Sequence, residues 1–334
     1  MGSSIEWTDE TLNVAVGCTR VSEGCRHCYA ERVVHRGMQD AHRGLTVASP
    51  DKGPRWNGTV RLVPERLATP LRWRKPRKVF VGSLMDLFHP DIPHEYRAAV
   101  FGVFAATQHI TYQVLTKRDP RPFFQWLYNR CSTEHGVCPW HVAGHHARQY
   151  VDGIGPKHAP ITELLNGGYW PLPNVWLGVS CEDQQRADER IPWLLEAPAA
   201  VRFVSAEPLL GPLNLTPWLG NAVSRYVEGG GSAPASEGYA VRPGIWWVVV
   251  GGESGPKSRP FDLAWARSIR DQCREAGAAF FMKQLGARPQ ATADPRGLGW
   301  TETCELSLRD SKGGDPSEWP EDLRVREFPE VRDA

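Results

Sequence analysis

Short apolar runs alternate with polar clusters through the middle of the chain. The runs are KVFV at 78–81, YQVL at 112–115, VWLGV at 175–179, VRFV at 201–204, IWWVVV at 245–250 and AFFM at 279–282. Each opens into polar residues: Gly82, Ser83 and Asp86; Thr116, Lys117 and Arg118; Ser180 and Glu182; Ser205 and Glu207; Gly251, Gly252 and Glu253; Lys283 and Gln284. Runs rich in Val, Ile and aromatics predict strands buried on both faces, as parallel strands are. Helical spacing of apolar residues predicts helices over 95–106 and 263–276. Asp262 is placed to cap the second and Gly277 to stop it. Alternating strands and helices imply an α/β fold with a parallel sheet and right-handed crossovers. Six or seven such units suit a (β/α) barrel or partial barrel. In such folds function gathers at the C-terminal strand ends, and every strand end here is polar.

Two segments interrupt the repeat. Residues 131–170 are rich in Cys and His, and residues 221–244 in Gly, Ser and Ala. The expected organisation is therefore a barrel domain over 1–286 carrying these two insertions. An irregular C-terminal extension is expected over 287–334, where periodic hydrophobicity fades and Gly, Pro and charge dominate.

The chain has 334 residues, 41% hydrophobic and 23% charged, which is a globular rather than a disordered composition. A formal net charge of +1 gives no support to a strongly nucleic-acid-binding surface. The start MGSSIEWTDETLN has neither a basic nor an apolar stretch of the secretory kind. No run is long enough to span a bilayer, so no membrane partner is expected. Eight cysteines without a secretory pattern point to reduced thiols and a cytoplasmic location.

Three of those cysteines, Cys18, Cys25 and Cys28, lie in the run GCTRVSEGCRHCYAER with spacing C-x6-C-x2-C. Thiolates favour iron–sulfur clusters and zinc. Three thiolates on one loop can hold three irons of a [4Fe–4S] cluster and leave the fourth iron open. A structural zinc would instead want a fourth protein ligand, for which His27 is a candidate. A second group, Cys131, Cys138, His141 and His145, with His135 and His146 nearby, has the donors for a tetrahedral zinc that would staple the first insertion.

The stretches IEWTDETLNVAVGC, GCRHCYAERV, VFVGSLMDLFHPDIP, YQVLTKRDPR, PLPNVWLGVSCED, RFVSAEPLLGPLNL, VVVGGESGPKSRP and RDQCREAGAAFFMKQLG carry a resemblance that runs from residue 5 to about 286. Through them the chain resembles the phage-associated three-cysteine-motif family of radical S-adenosylmethionine (SAM) proteins. The wider superfamily's loop has three residues in the first gap, where this chain has six.

The resemblance implies a radical SAM enzyme. Its [4Fe–4S] cluster, on Cys18, Cys25 and Cys28, would bind SAM through the open iron and cleave it reductively to a 5′-deoxyadenosyl radical. It implies a low-potential electron donor such as a flavodoxin or ferredoxin, and a companion protein encoded nearby. Phage association and a distant likeness to the photoproduct lyase of DNA repair point to a nucleic acid or nucleotide as substrate. SAM would then need polar partners at the strand ends. Ser180 and Glu182 suit the ribose, Lys117 or Arg118 the carboxylate, and Ser83 and Asp86 the amino group; Glu207 and Glu253 are further candidates. The alternative is a zinc-stapled binding protein without redox chemistry.

Overall fold

In the computed structural model of the chain, the described residues are 3, 5–48, 53–133, 139–151, 170–220, 244–293 and 302–330. Seven strands form one sheet: β1 (Glu10–Leu12), β2 (Arg77–Val81), β3 (Ile110–Thr116), β4 (Val175–Ser180), β5 (Val201–Ala206), β6 (Trp247–Gly251) and β7 (Ala279–Gln284). Their order in the sheet is their order in the sequence. The registered pairs β1–β2, β2–β3, β5–β6 and β6–β7 are all parallel. The fold is thus α/β with sequentially ordered parallel strands, the topology a partial (β/α) barrel requires. Six of these strands coincide with the six apolar runs. The first, the tripeptide ETL, has no apolar run to announce it.

The chain divides into two compact units, one built on Met1–Gly178 with Glu196–Ala200, the other on Val179–Leu195 and the described residues from Val201 onward. In the first, β2 and β3 carry α1 (Tyr29–His35), α2 (His94–Ala105), α3 (Arg121–Thr133) and α4 (Pro139–Val151). Residues 96–105 of α2 are all buried, which explains why its sequence is apolar on every side. One flank of α2 meets α4 so closely that a Cβ on Gly102 would sit 2.3 Å from the Ala143 carbonyl oxygen. Part of the Cys/His-rich insertion is therefore a helix packed on the core. Where β3 begins, the Asn174 side-chain amide donates to the carbonyls of Phe104 and Ile110, both at 3.0 Å, and the Asn174 backbone carbonyl accepts from Tyr112 N at 2.8 Å. These bonds satisfy backbone groups that would otherwise be buried without partners.

In the second unit, β5 and β6 are buried along their whole length. Trp247 on β6 packs against Phe203, Phe281 and Phe328 and donates its indole N–H to the Glu327 carbonyl at 2.9 Å. Helix α5 (Gln184–Glu196) precedes β5, and α6 (Leu263–Ala276) precedes β7. The bounds of α6 are those its periodicity predicts. The Asp262 side chain accepts from Ala264 N, and Gly277 adopts the left-handed conformation at φ 69°.

The C-terminal extension is not irregular throughout. Pro289–Ala293 pairs antiparallel with Glu302–Glu305, and the first of these also pairs with Phe261–Asp262. Further on, Trp319 and Leu323 are buried, and the Trp319 indole donates to the Gly313 carbonyl at 2.9 Å. Phe328 packs on Trp247 and Phe281, and Met282 N donates to the Val325 carbonyl at 2.8 Å, so a few apolar anchors and backbone bonds dock a polar tail, which averaged periodicity does not reveal. No helix among the described residues is long and apolar enough to cross a membrane.

Candidate functional site: the three-cysteine loop

The loop that carries Cys18, Cys25 and Cys28 leaves β1 and returns through α1. Its entry is set by the backbone. Asn13 bridges to the exit of β2, donating to Ser83 Oγ at 2.8 Å and accepting from Leu84 N at 2.7 Å. Gly17 then takes φ 110° and donates its N–H to the Leu84 carbonyl at 3.1 Å. A Cβ there would lie 2.2 Å from the Thr59 carbonyl oxygen, so only glycine fits immediately before Cys18.

The three residues after Gly17 are each anchored. Arg20 donates from Nε (2.9 Å) and Nη2 to the two carboxylate oxygens of Glu31, the buried acid of α1. Glu31 also accepts from Trp56 N at 3.0 Å. This bidentate pair ties the front of the loop to the helix behind it. Thr19 accepts from Arg118 Nη2 at both its carbonyl (3.0 Å) and its hydroxyl (2.6 Å). Cys18 Sγ accepts from Arg118 Nη1 at 3.7 Å.

Arg118 stands at the end of β3, and its guanidinium is held in turn by Asp86 at the end of β2. Arg118 Nη1 lies 3.2 Å from Asp86 Oδ2. The Asp86 carboxylate further accepts from Thr116 Oγ1 (2.7 Å), Phe88 N (3.0 Å) and Lys117 N (3.0 Å). Burial opposes the charge on Arg118, and Asp86 and Cys18 more than offset it. His89 completes the shell. Its Nδ1 accepts from Asp91 N at 3.2 Å, which leaves Nε2 to donate to Thr19 Oγ1 at 3.0 Å. Burial, then the neighbouring Arg118 charge, hold its pKa below the ordinary value, so the ring is neutral at pH 7.

Cys18, Cys25 and Cys28 are all free and half-buried. Burial is the main reason the Cys18 thiol is pushed up to about 12; Asp86 adds to the rise and Arg118 opposes it. Burial likewise raises Cys28, against backbone N–H groups of Glu31 and Ala30. Thiolates poorly supported by water are suited to a soft metal, which deprotonates a coordinating thiol and takes up its charge. Among the described residues no three His, Cys, Asp or Glu side chains converge as the ligands of one ion must. The donor set, three free cysteine sulfurs on one anchored loop, is of the type that iron–sulfur clusters take.

The other residues singled out in the sequence are placed as follows. Ser83 accepts from Asn13 through its hydroxyl and from the Tyr29 hydroxyl through its carbonyl, at 2.7 Å. Lys117 follows β3 directly, its N–H on Asp86. In the second unit Glu182 is fully buried, 3.0 Å from Arg190 Nη1, and Arg190 also donates to the Ser180 carbonyl at 2.8 Å. Glu253 accepts from Arg259 at Nε (3.0 Å), Nη2 (2.7 Å) and N (2.9 Å). Glu207 pairs with Lys283 Nζ at 2.9 Å and with Ser205 Oγ at 3.2 Å, and is partly exposed. A Cβ on Gly251 would meet its carboxylate at 2.5 Å. Cys131 donates its S–H to the Leu127 carbonyl at 3.1 Å. His141 stacks on Trp140, and His145 lies 3.5 Å from the Gln149 amide. Cys138, the fourth member of that group, lies outside the described residues. Thr19, His89, Arg20 and Glu31 are site residues the sequence reading did not include; nearness to Cys18 was the available signal for Thr19 and Arg20.

Residues 2–312 match the model of a family described as a protein of unknown function, DUF5131. No curated protein and no solved structure matches the chain.

Proposed function

The chain belongs to the DUF5131 family, and we propose, from its three-cysteine loop and its fold, that it is a radical SAM enzyme with a partial (β/α) barrel of that type. Cys18, Cys25 and Cys28 would hold a [4Fe–4S] cluster, and a cluster with three protein ligands would leave a position for SAM. One observation carries the reading. Three free, half-buried thiols lie on one loop fixed at Gly17, Thr19 and Arg20. Side chains that merely filled space would not need such anchoring, nor an arginine aimed at one sulfur. When bound, the cluster and SAM together supply the electron and the carbon–sulfur bond from which a carbon-centred radical arises.

The chain's own residues do the remaining work. Glu31 and Arg20 hold the loop against α1. Asp86, saturated by donors of its own chain, fixes Arg118 rather than reaching for a ligand. Ser83, three residues before Asp86, and Lys117, whose backbone N–H donates to Asp86, are the groups of this unit assigned to the amino-acid end of SAM. Arg190 and Arg259 engage Glu182 and Glu253, which leaves Glu207 the more accessible of the three acids in the second unit.

The test is anaerobic reconstitution with iron and sulfide, then SAM and dithionite. The expected result is 5′-deoxyadenosine in wild-type protein and none when all three cysteines are alanine. A reconstituted cluster that never yields 5′-deoxyadenosine would overturn the assignment.

A further inference from the structure

Arg118 is bound to Cys18 and to neither of the other two cysteines among the hydrogen bonds of the described residues. We propose that Arg118, positioned by Asp86 and Thr19, tunes the reduction potential of the cluster through the Cys18 sulfur; this rests on the cluster reading above. The guanidinium has one N–H on the sulfur at 3.7 Å and shares the same nitrogen with Asp86 Oδ2 at 3.2 Å. Its second nitrogen is fixed by two oxygens of Thr19, at 3.0 and 2.6 Å. With only 10% of the side chain exposed, water screens the charge weakly.

The physical consequence follows from charge. Reduction adds one electron, taken from a low-potential flavin or iron–sulfur donor protein; no bond forms or breaks and no proton moves. The added negative charge is stabilised by a cation and a hydrogen bond at a ligand sulfur and destabilised by a nearby carboxylate. Arg118 and Asp86 therefore act with opposite signs. The asymmetry also marks the corner held by Cys18 as electronically distinct from those held by Cys25 and Cys28. Asp86 is a positioning residue for Arg118 and a counter-charge to it.

The experiment is an EPR-monitored redox titration of the full-length, reconstituted protein and its variants. Arg118→Met removes the positive charge and the hydrogen bond. It is expected to lower the equilibrium constant for reduction about tenfold, a shift of about 59 mV to more negative potential for one electron. Asp86→Asn keeps the size of the side chain, removes the counter-charge and should move the potential the other way. Arg118→Lys, which keeps the charge and loses the fork, should fall between wild type and Arg118→Met. A loosened loop would shift both charge variants in one direction, so shifts of the same sign, or none, overturn the inference and leave the cluster standing. Should Arg118→Met fail to retain a cluster, the Asp86→Asn and Arg118→Lys shifts decide it. Wild-type protein that assembles no iron–sulfur chromophore would sink the cluster reading itself, and the inference with it.

Discussion

Glu182→Ala is expected to lower the free energy of unfolding by about 3–5 kcal/mol. Glu182 has no exposed surface and Arg190 has 2%, and they meet at 3.0 Å. Truncating the acid strands a guanidinium in a place that water does not reach. The remaining contact of Arg190 Nη1, with the Ser180 carbonyl, carries no full negative charge. Desolvating two charges costs about as much as their attraction returns, so removing both is far milder than removing one. The double variant Glu182→Leu with Arg190→Met should recover most of the loss. Urea denaturation followed by circular dichroism measures both. A single-variant loss under about 1 kcal/mol, comparable with an exposed pair, would contradict the buried geometry.

Replacing Cys18, Cys25 and Cys28 together by alanine should reduce bound iron and sulfide to background after reconstitution, while Cys304→Ala leaves them unchanged. Cys304 is exposed and distant in sequence from the loop. The triple variant should keep its secondary structure without metal, because three half-buried thiols contribute little to the core. The loop is meanwhile anchored by Asn13, Gly17, Thr19 and Arg20, none of which is a ligand. Iron analysis against protein concentration, with far-ultraviolet circular dichroism, separates loss of the site from loss of the fold. Full iron retention in the triple variant would remove the basis of the proposed function.

The architecture was legible wherever burial on both faces writes a continuous apolar run. Strands β2 to β7 and the bounds of α6 follow from the sequence for that reason. Strand β1 was hidden because Glu10 and Thr11 are only partly buried or exposed, and two of its three residues are polar. Helix α4 lay inside a segment whose cysteines and histidines drew attention to metal chemistry. Its buried Trp140, Val142, Ala143 and Ala147 show the packing role that segment also has.

The chemistry was legible only in part. Acidic residues at strand exits read alike in sequence, yet Asp86, Glu182, Glu207 and Glu253 differ in what neutralises them. For Glu182 the partner lies eight residues on, at a position α5 turns back toward the strand. For Glu253 it lies six residues on, in the same loop. Such local acid–arginine spacings are the signal by which a committed carboxylate can be told from an available one. Asp86 and Arg118 are 32 residues apart, and nothing in the sequence joins them. Their pairing, and its approach to Cys18, depend on β2 and β3 being neighbours in register.

The most direct test of the central claim is the EPR spectrum of the anaerobically reconstituted, dithionite-reduced protein, recorded with and without SAM. A cluster on three cysteines with one vacant iron should give a reduced-cluster signal whose g-values shift when SAM is added. A signal indifferent to SAM, or a colourless protein with no cluster signal at all, would contradict it.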